Sequence, residues 1–317
     1  MSTAVVDAPA RGSETPGRRG TGGAAAKRGG TGAVQWMAIP AVVFFGAFGA
    51  LPLVGVGVLS FARWDGIGSI GSAGFSNWSS VLTDATTWRS LGLTFLILVA
   101  SWLIQTPLAL LIGTFTAGNQ RYRAVLAVLY FLPLLLSAAA ISIAYKALLD
   151  PNFGLAAGLG IPALAQNWLG DPQLVLLVVL FVLSWQYIPF HALIYQGGVR
   201  QIPRSIYEAA EIDGAGRLRA FFSITLPQLK YTIITSSTLM VVGSLTAFDM
   251  IFVLTGGGPG DATRVLALDM YLRGFRANQM GPASAIAVIL VLLGLGLALL
   301  LQRLGGRESA ASQLDGL

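Results

Sequence analysis

The stretch IPRSIYEAAEIDGAGRLRAFFSITLPQLK, residues 202–230, gathers charge between two long apolar runs. The run before it reads LVLLVVLFVLSWQYIPFHALIYQG (174–197), and the run after it covers 232–254. Only 11 % of the whole chain is charged, against about a quarter in soluble domains. A charged loop that joins two segments long enough to cross a bilayer indicates an integral membrane protein.

Composition supports this class and excludes several functions. The 317 residues are 55 % apolar, with a mean hydropathy of +0.71. The chain has no cysteine, which excludes disulfides, thiolate metal sites and cysteine nucleophiles, and its one histidine is His191. The net charge of +6 is explained by basic cytoplasmic flanks rather than by nucleic-acid binding. We predict no catalytic site, no metal site and no nucleic-acid partner.

Six segments are apolar over the roughly 20 residues that a helix needs to cross a bilayer. We therefore predict an all-α integral membrane fold with six transmembrane helices, at residues 36–61, 91–116, 124–148, 174–197, 232–254 and 283–303. They form one transmembrane domain, residues 34–305. Residues 1–33 are predicted to be a disordered basic tail because they cannot bury enough apolar surface to offset their ordering entropy. Residues 306–317 form a C-terminal tail.

The distribution of basic residues predicts the orientation. Fourteen of the 20 Lys and Arg residues fall in the N-terminal tail, the loop after the second span, the 198–231 loop and the segment after the sixth span. We therefore predict that both termini and the 202–230 stretch are cytoplasmic. In the last outer loop, Leu268, Tyr271, Leu272 and Phe275 repeat at helical spacing, which predicts a helix lying on the membrane surface.

The 202–230 stretch itself predicts two short helices joined by a glycine. Ser205 to Glu208 form a capping-box pattern, so a helix can start near Ser205. Gly214 suits the left-handed position that ends a helix, and a second short helix follows over about 215–224. On the residues alone, two interpretations stay open. The loop is either a capped connection at the lipid headgroups or, because of its small residues, a surface that fits a protein partner.

The sequence EAAEIDGAGRLRAFFSITLP resembles the EAA motif of ATP-binding-cassette (ABC) importer permeases, EAAxxDGAxxxxxFxxIxLP. Every fixed position is present: Glu208, Ala209, Ala210, Asp213, Gly214, Ala215, Phe221, Ile224, Leu226 and Pro227. Tyr231 stands where many relatives have a second proline. Residues 122–154, 185–210 and 248–266 are also similar to carbohydrate permeases of the maltose and glycerol-phosphate type, including the LTGGGP sequence at 254–259.

The resemblance implies the type I ABC importer permease fold and a mechanism. The coupling loop, residues 202–227, would sit in a cleft of a cytoplasmic ATPase. Its contacts would be made by Glu208, Ala209, Ala210, Asp213, Gly214 and Ala215, with Glu208 pairing with a basic residue and Gly214 acting as an elbow. The chain has no GxxxxGK[ST] phosphate loop, so ATP–Mg would be bound by the partner ATPase and no cofactor by this chain.

The implied partners complete an importer in a bacterial cell membrane. They are a second homologous permease, two copies of the ATPase, an extracellular solute-binding protein and a di- or oligosaccharide substrate. Three rivals differ in kind. One is an ABC permease for glycerol phosphate or another solute. The second is an ion-driven secondary transporter, which would need an inverted repeat and no coupling loop. The third is a membrane scaffold that transports nothing.

Candidate substrate contacts lie in the fourth and fifth predicted spans. A polar solute needs hydroxyls, amides and aromatic faces inside the membrane. One helical face of span five carries Met240, Gly243, Ser244, Ala247 and Phe248, and span four carries Trp185, Gln186, Tyr187 and Phe190. Small residues also serve helix packing, and aromatic residues also anchor spans at the interface, so these alternatives stay open. Similarity to the maltose-type permeases implies sugar contacts at Gln186, Tyr187, Phe190, Met240, Gly243, Ser244 and Ala247.

Two ionisable residues fall inside these spans. Asp249 is an acid in an apolar segment, and such residues are candidates for function. It lies just off the predicted face of span five, so a bond to a neighbouring helix is the alternative. His191 follows Pro189 closely, and we expect it to satisfy a local break in the helix backbone.

Overall fold

The computed structural model describes residues 31–118, 121–161 and 165–305. The predicted tails over residues 1–30 and 306–317 lie outside the described residues. The first helix begins at Thr31, so residues 31–33 belong to a helix rather than to the predicted tail.

Helices account for most of the described residues, which confirms the predicted all-α class. The α-helices are α1 Thr31–Phe45, α2 Leu51–Leu59, α3 Ser76–Thr83, α4 Ala85–Thr116, α5 Arg121–Phe131, α6 Ala138–Leu148, α7 Leu155–Gly158, α8 Val175–Gln201, α9 Arg204–Ile212, α10 Arg217–Ala220, α11 Leu226–Gln228, α12 Lys230–Leu245, α13 Asp249–Leu254, α14 Leu266–Tyr271 and α15 Met280–Gly305. π-Helical turns cover Gly46–Ala50, Phe221–Thr225 and Leu272–Arg276, and a 3₁₀ turn covers Leu132–Leu135. The short strands β1 Ala62–Arg63 and β2 Gly71–Ser72 pair antiparallel, with Ala62 opposite Ser72.

Contacts within the chain divide it into two units, residues 1–51 and residues 52–317. The described part of the first unit is α1 and the π-helical turn that follows it. Its aromatic side chains are exposed, and the rings of Phe44 and Phe48 pack against each other at 4.8 Å. All the site residues discussed below belong to the second unit.

Four described helices are long and apolar enough to cross a membrane, at Ala38–Leu59, Ala85–Thr116, Val175–Gln201 and Met280–Leu304. They correspond to the predicted spans one, two, four and six. The predicted spans three and five are also helical, but each is interrupted, after Phe131 in span three and after Leu245 in span five.

The third predicted span bends by 94° between its two halves, and it counts as a fifth span only if the bent pair crosses the membrane together. Pro133 lies in the 3₁₀ turn, and Leu136 then takes an extended conformation with ψ 145°. Ser137 caps the second half, because its hydroxyl accepts a hydrogen bond from the Ala140 amide at 3.2 Å. Proline cannot donate the next helical hydrogen bond, so the helix ends there and restarts at α6.

The fifth predicted span stops at Leu245 and restarts at Asp249. The Thr246 amide and hydroxyl both donate to the Val242 carbonyl, at 3.2 Å and 3.0 Å, and close the end of α12. The Phe248 amide donates instead to the Thr246 carbonyl at 2.7 Å. The interruption leaves α12 and α13 as separate helices of 16 and 6 residues.

Helices α4 and α8 pack closely against each other at Gly113. A Cβ atom added there would lie 2.7 Å from the Ala192 carbonyl oxygen and 2.9 Å from the Tyr195 Cβ. Ala109, Ala192 and Tyr195 are fully buried around this contact. Only a residue without a side chain lets the two backbones pack at this distance.

Side-chain hydrogen bonds join the same helices across the bundle. The Gln196 amide donates to the Thr116 carbonyl at 2.8 Å, linking α8 to α4. The Trp102 indole donates to the Ser237 hydroxyl at 2.8 Å, linking α4 to α12. These bonds satisfy polar groups that the apolar surroundings would otherwise leave unpaired.

The outer-loop stripe packs inward rather than on a membrane surface. Leu268 is fully buried in the core, and Tyr271 and Leu272 pack against that core. Only Phe275 stays mainly exposed. The surface helix predicted for this segment is therefore wrong, because the helix is covered by the rest of the protein.

A buried carboxylate holds this outer segment together. Asp269 is fully buried, and its two oxygens accept hydrogen bonds from Arg264 at 2.7 Å and from Arg273 at 3.0 Å. Arg273 also pairs with Asp84 and donates to the Thr87 hydroxyl at 3.0 Å, at the start of α4. Burial raises the pKa of Asp84, but the hydrogen bonds from Arg273 and Thr86 and the positive charge of Arg273 together outweigh this effect, and the pKa is lowered overall. The Arg273 pKa is raised: burial lowers it, and its two carboxylate partners more than offset that effect.

We predict opposite effects for two glycine substitutions on α4. Gly113→Ala should destabilise the fold by about 1–3 kcal/mol, because the new methyl group overpacks the contact with α8. Gly92→Ala is the matched control, because nothing lies within 4 Å of its added Cβ and alanine favours a helix. The measurement is the apparent thermal unfolding midpoint of the purified protein. Equal midpoints for the two variants would contradict the close contact.

Replacing Asp269 by Asn should destabilise the 264–273 segment by about 3–5 kcal/mol, because two half-buried arginines lose the buried carboxylate that they share. Asp261→Asn is the control, since that carboxylate is 47 % exposed and contacts Arg264 at 3.4 Å. Its removal should cost at most about 1 kcal/mol. Limited proteolysis of the 255–279 segment provides the measurement, and equal protection in the two variants would disprove the central role of Asp269.

Candidate functional site

The coupling loop begins differently from the capping-box prediction. Helix α9 starts at Arg204, with Pro203 in the N-cap position and no side-chain cap. Ser205 and Glu208 therefore lie inside the helix and do not form a capping box. Proline sets the backbone angles of the turn between α8 and α9 without a hydroxyl cap.

The end of α9 agrees with the prediction for Gly214. This residue has φ +74°, a region that glycine adopts without steric cost. The Ala215 amide donates to the Ala210 carbonyl at 2.8 Å, and the Gly214 amide donates to the Glu211 carbonyl at 3.0 Å. Together these bonds close the helix end and turn the chain toward α10.

The coupling loop is held to the protein on one side and exposed on the other. The hydroxyls of Tyr207 and Thr225 are 2.9 Å apart, which ties α9 to the turn before α11. Glu208, Ala209, Asp213 and Gly214 are exposed, whereas Ala210 and Ala215 are half-buried. The loop also exposes the apolar side chains of Ile212 (87 %), Leu218 (77 %) and Phe222 (62 %).

A cavity of about 370 Å³ lies between the central helices of the second unit. It opens beside the interruption between α12 and α13, where the chain leaves helical structure. Its walls come from α4, the bend before α6, α8, α12 and the start of α13: Ser101, Gln105, Leu134, Ala138, Leu183, Tyr187, Phe190, His191, Leu239, Met240, Val242, Gly243, Ser244, Thr246, Ala247, Phe248, Asp249 and Met250.

The cavity brings together most of the residues that the sequence singles out for substrate contact. The ones in its walls are Tyr187, Phe190, Met240, Gly243, Ser244, Ala247 and Phe248. Gln186 is not among them. It is buried and donates to the Leu136 carbonyl at 3.3 Å, at the bend of the third span. Trp185, also outside the walls, packs its ring against Tyr145 at 5.6 Å.

The two ionisable residues of these spans both reach the cavity. The His191 ring nitrogen Nδ1 lies 2.9 Å from the Ser236 hydroxyl, so it joins α8 to α12. The expectation that His191 satisfies a local backbone break is therefore wrong. Asp249 lines the cavity, and its carboxylate forms no hydrogen bond or ion pair within the described residues. The alternative of a bond to a neighbouring helix is not observed.

Three polar residues of the cavity, Ser101, Gln105 and Thr246, were not singled out from the sequence. Ser101 and Gln105 are buried and lie four residues apart on α4, so they share one face of that helix. Polar residues at helical spacing inside an apolar span were the available signal. The cavity thus combines hydroxyl and amide groups with the ring faces of Tyr187, Phe190 and Phe248, a lining that can hold a polar solute with apolar faces.

Comparison with known proteins places this geometry in a family. The family model described as "Binding-protein-dependent transport system inner membrane component" matches residues 105–309. The match includes the coupling loop and all the cavity residues except Ser101.

Relatives at full length agree with that match. A probable ABC transporter permease, YurN of Bacillus subtilis, is 30 % identical over 83 % of this chain and 92 % of its own length. The multiple sugar-binding transport system permease MsmF of Streptococcus mutans is 32 % identical over 82 % of this chain and 89 % of its own length. A crystal structure of a bacterial alginate ABC transporter, in complex with an alginate-bound periplasmic protein, contains a chain of the same fold. It has a TM-score of 0.76 and 20 % identity, over 88 % of this chain and 95 % of that chain. The chain therefore belongs to the family of inner membrane components of binding-protein-dependent transport systems.

Proposed function

We propose that this chain is a permease subunit of an ATP-driven importer for di- or oligosaccharides and forms half of the translocation pathway. The cavity beside the α12–α13 interruption carries this proposal. Transporters hold polar solutes where helices are discontinuous, because the irregular backbone is tolerated only where it lines a cavity. Here the interruption itself, Thr246–Phe248, forms part of the wall.

The chemistry of the cavity fits a saccharide. Ser101, Ser244 and Thr246 carry hydroxyls and Gln105 carries an amide, groups that can exchange hydrogen bonds with sugar hydroxyls. The rings of Tyr187, Phe190 and Phe248 offer flat apolar faces to the C–H surfaces of a sugar ring. Its volume of about 370 Å³ suits a small ligand or one part of a longer chain. The sugar-transport permease among the relatives agrees with this class of substrate.

Coupling to ATP hydrolysis would occur at the exposed side of the coupling loop. A partner ATPase would bury Ile212, Leu218 and Phe222, which are exposed in the described part of the chain, and would supply a basic residue for Glu208. The Tyr207–Thr225 contact would pass the movement of α9 to the start of α12. A second permease and an extracellular solute-binding protein would complete the complex, with both termini and the coupling loop in the cytoplasm.

The test of this function is uptake of labelled neutral di- and oligosaccharides into proteoliposomes that contain the chain co-purified with its partner chains. We expect uptake that requires ATP on the ATPase side and the solute-binding protein on the other. Uptake that persists without any ATPase would overturn the proposal.

Glu208→Lys should reduce ATP-dependent uptake by at least about tenfold, because it places like charges at the contact with the ATPase. Sugar binding by the complex should remain. The matched control is Glu211→Lys, which makes the same change one turn along α9 outside the fixed positions of the motif and should have a much smaller effect. If both variants transport like wild type, Glu208 has no coupling role.

Filling the cavity should block transport while leaving coupling intact. Nothing lies within 4 Å of a Cβ added at Gly243. A phenylalanine side chain adds about 150–250 Å² of surface, which would occupy the cavity. The Gly243→Phe variant should therefore take up sugar at least about tenfold more slowly than wild type. The control is Gly296→Phe on α15, an equally open position outside the cavity. Normal uptake by Gly243→Phe, with the complex assembled, would place the pathway elsewhere.

A further inference from the structure

The cavity carries a charge that the proposed function leaves unused. Among its walls, Asp249 is the one residue with a full charge, and the described lining includes no lysine or arginine. His191, the remaining titratable base there, already contacts Ser236 at 2.9 Å. A solute that enters therefore meets a carboxylate without a matching cation from this chain.

Among the described residues, Asp249 lacks a basic partner, unlike Asp84 and Asp269. Asp269 is shared by Arg264 and Arg273, and Asp84 is paired with Arg273. Asp249 has no such partner in the described part of the chain. The next two residues, Met250 and Ile251, are 2 % and 0 % exposed, whereas Asp249 remains open.

The surroundings strengthen the effect of this charge. Most of the cavity wall is apolar, and walls of low polarisability focus the field of a charge into the enclosed water. An acid inside an apolar span is costly to keep, so an unpaired one facing a solute pathway marks a functional role. At about 6 Å in water, a unit charge raises the local concentration of a cation and lowers that of an anion by about threefold each, and by more near protein.

We propose that Asp249 makes the cavity selective against anionic solutes, so that neutral or cationic saccharides pass and uronates, sulfated sugars and sugar phosphates are excluded. This selectivity rests on the proposed transport function, because it assigns a substrate class to the same cavity. It also separates this chain from the glycerol-phosphate alternative, since a phosphate would require a cation that the described lining lacks.

The absence of cysteine from the chain allows a direct test. Single reporters are introduced in the cavity at Ala247→Cys and, separately, at Gly243→Cys. A reference reporter is introduced at the exposed Ser79→Cys on α3. The importer, purified with its co-expressed partner chains in nanodiscs, is treated with a cationic trimethylammonioethyl or an anionic sulfonatoethyl methanethiosulfonate. Intact-mass spectrometry of this chain gives the rate at which each reagent labels the introduced cysteine. The wild-type chain, which has no cysteine, is the unreactive control.

For each reporter, the rate of labelling by the cationic reagent is divided by the rate with the anionic reagent. We expect this ratio at the cavity reporters to be about tenfold or more above the ratio at Ser79→Cys. Adding Asp249→Asn should lower the cavity ratio by about the same factor and leave the reference ratio unchanged. Adding Asp249→Glu should keep the cavity ratio high. The comparison between Ala247→Cys and Ser79→Cys needs no change at Asp249, so it stands even if Asp249→Asn fails to fold.

Three results would overturn the proposal. One is a cavity ratio equal to the reference ratio. Another is a preference for the anionic reagent, which would mean that a partner chain supplies a compensating cation. The third is a complete lack of labelling at both cavity reporters, which would mean that charged solutes do not reach Asp249. The transport function is judged separately by sugar uptake, so uptake with an unselective cavity rejects only the inference. A selective cavity without uptake rejects only the proposed function.

Discussion

The close contact between α4 and α8 at Gly113 is the constraint on which the rest of the structure depends. Between helices in a bilayer, lipid is as apolar as the side chains, so association relies on close packing and interhelical hydrogen bonds. Gly113 permits the first, and the bond from Gln196 to Thr116 supplies the second within one turn of it. With α8 fixed against α4, one side of α8 is free to face α12 through His191, and the cavity forms between these three helices.

The charged segment at residues 261–273 follows a different physical rule. Its arginines weaken the asymmetry of basic residues on which the predicted orientation depends. In the structure, Arg264 and Arg273 are neutralised by a nearby acid, because both donate hydrogen bonds to the buried Asp269. Paired in this way they act as structural cross-links between the 261–273 segment and the start of α4, rather than as free positive charges. Counting basic residues cannot distinguish the two roles, since the partner acids are distant in sequence or hidden in an apolar stripe.

Apolar length was enough to predict which segments are helical, and the glycine at 214 was enough to predict where α9 ends. The interruptions were harder to see. Pro133 was visible, but the apolar run around it is unbroken, so length alone favoured one straight helix. The stop after Leu245 contains no proline, and the amide and hydroxyl of Thr246 still donate to the Val242 carbonyl, so no residue in the sequence marks the stop. Gln186 and Tyr187 are adjacent in the sequence, yet one faces the bend of the third span and the other faces the cavity, a difference set by tertiary packing.

The interruption at Thr246–Phe248 also separates helix packing from cavity lining along one segment of chain. Residues before it pack against α4 and α15, and residues after it pack against α6. The short piece between them is not helical, and its side chains line the cavity. Substitutions there can change what the cavity recognises while leaving the seams between helices intact. In a family that adapts one fold to many solutes, substitutions at such an interruption change recognition strongly and reduce the stability of the fold little.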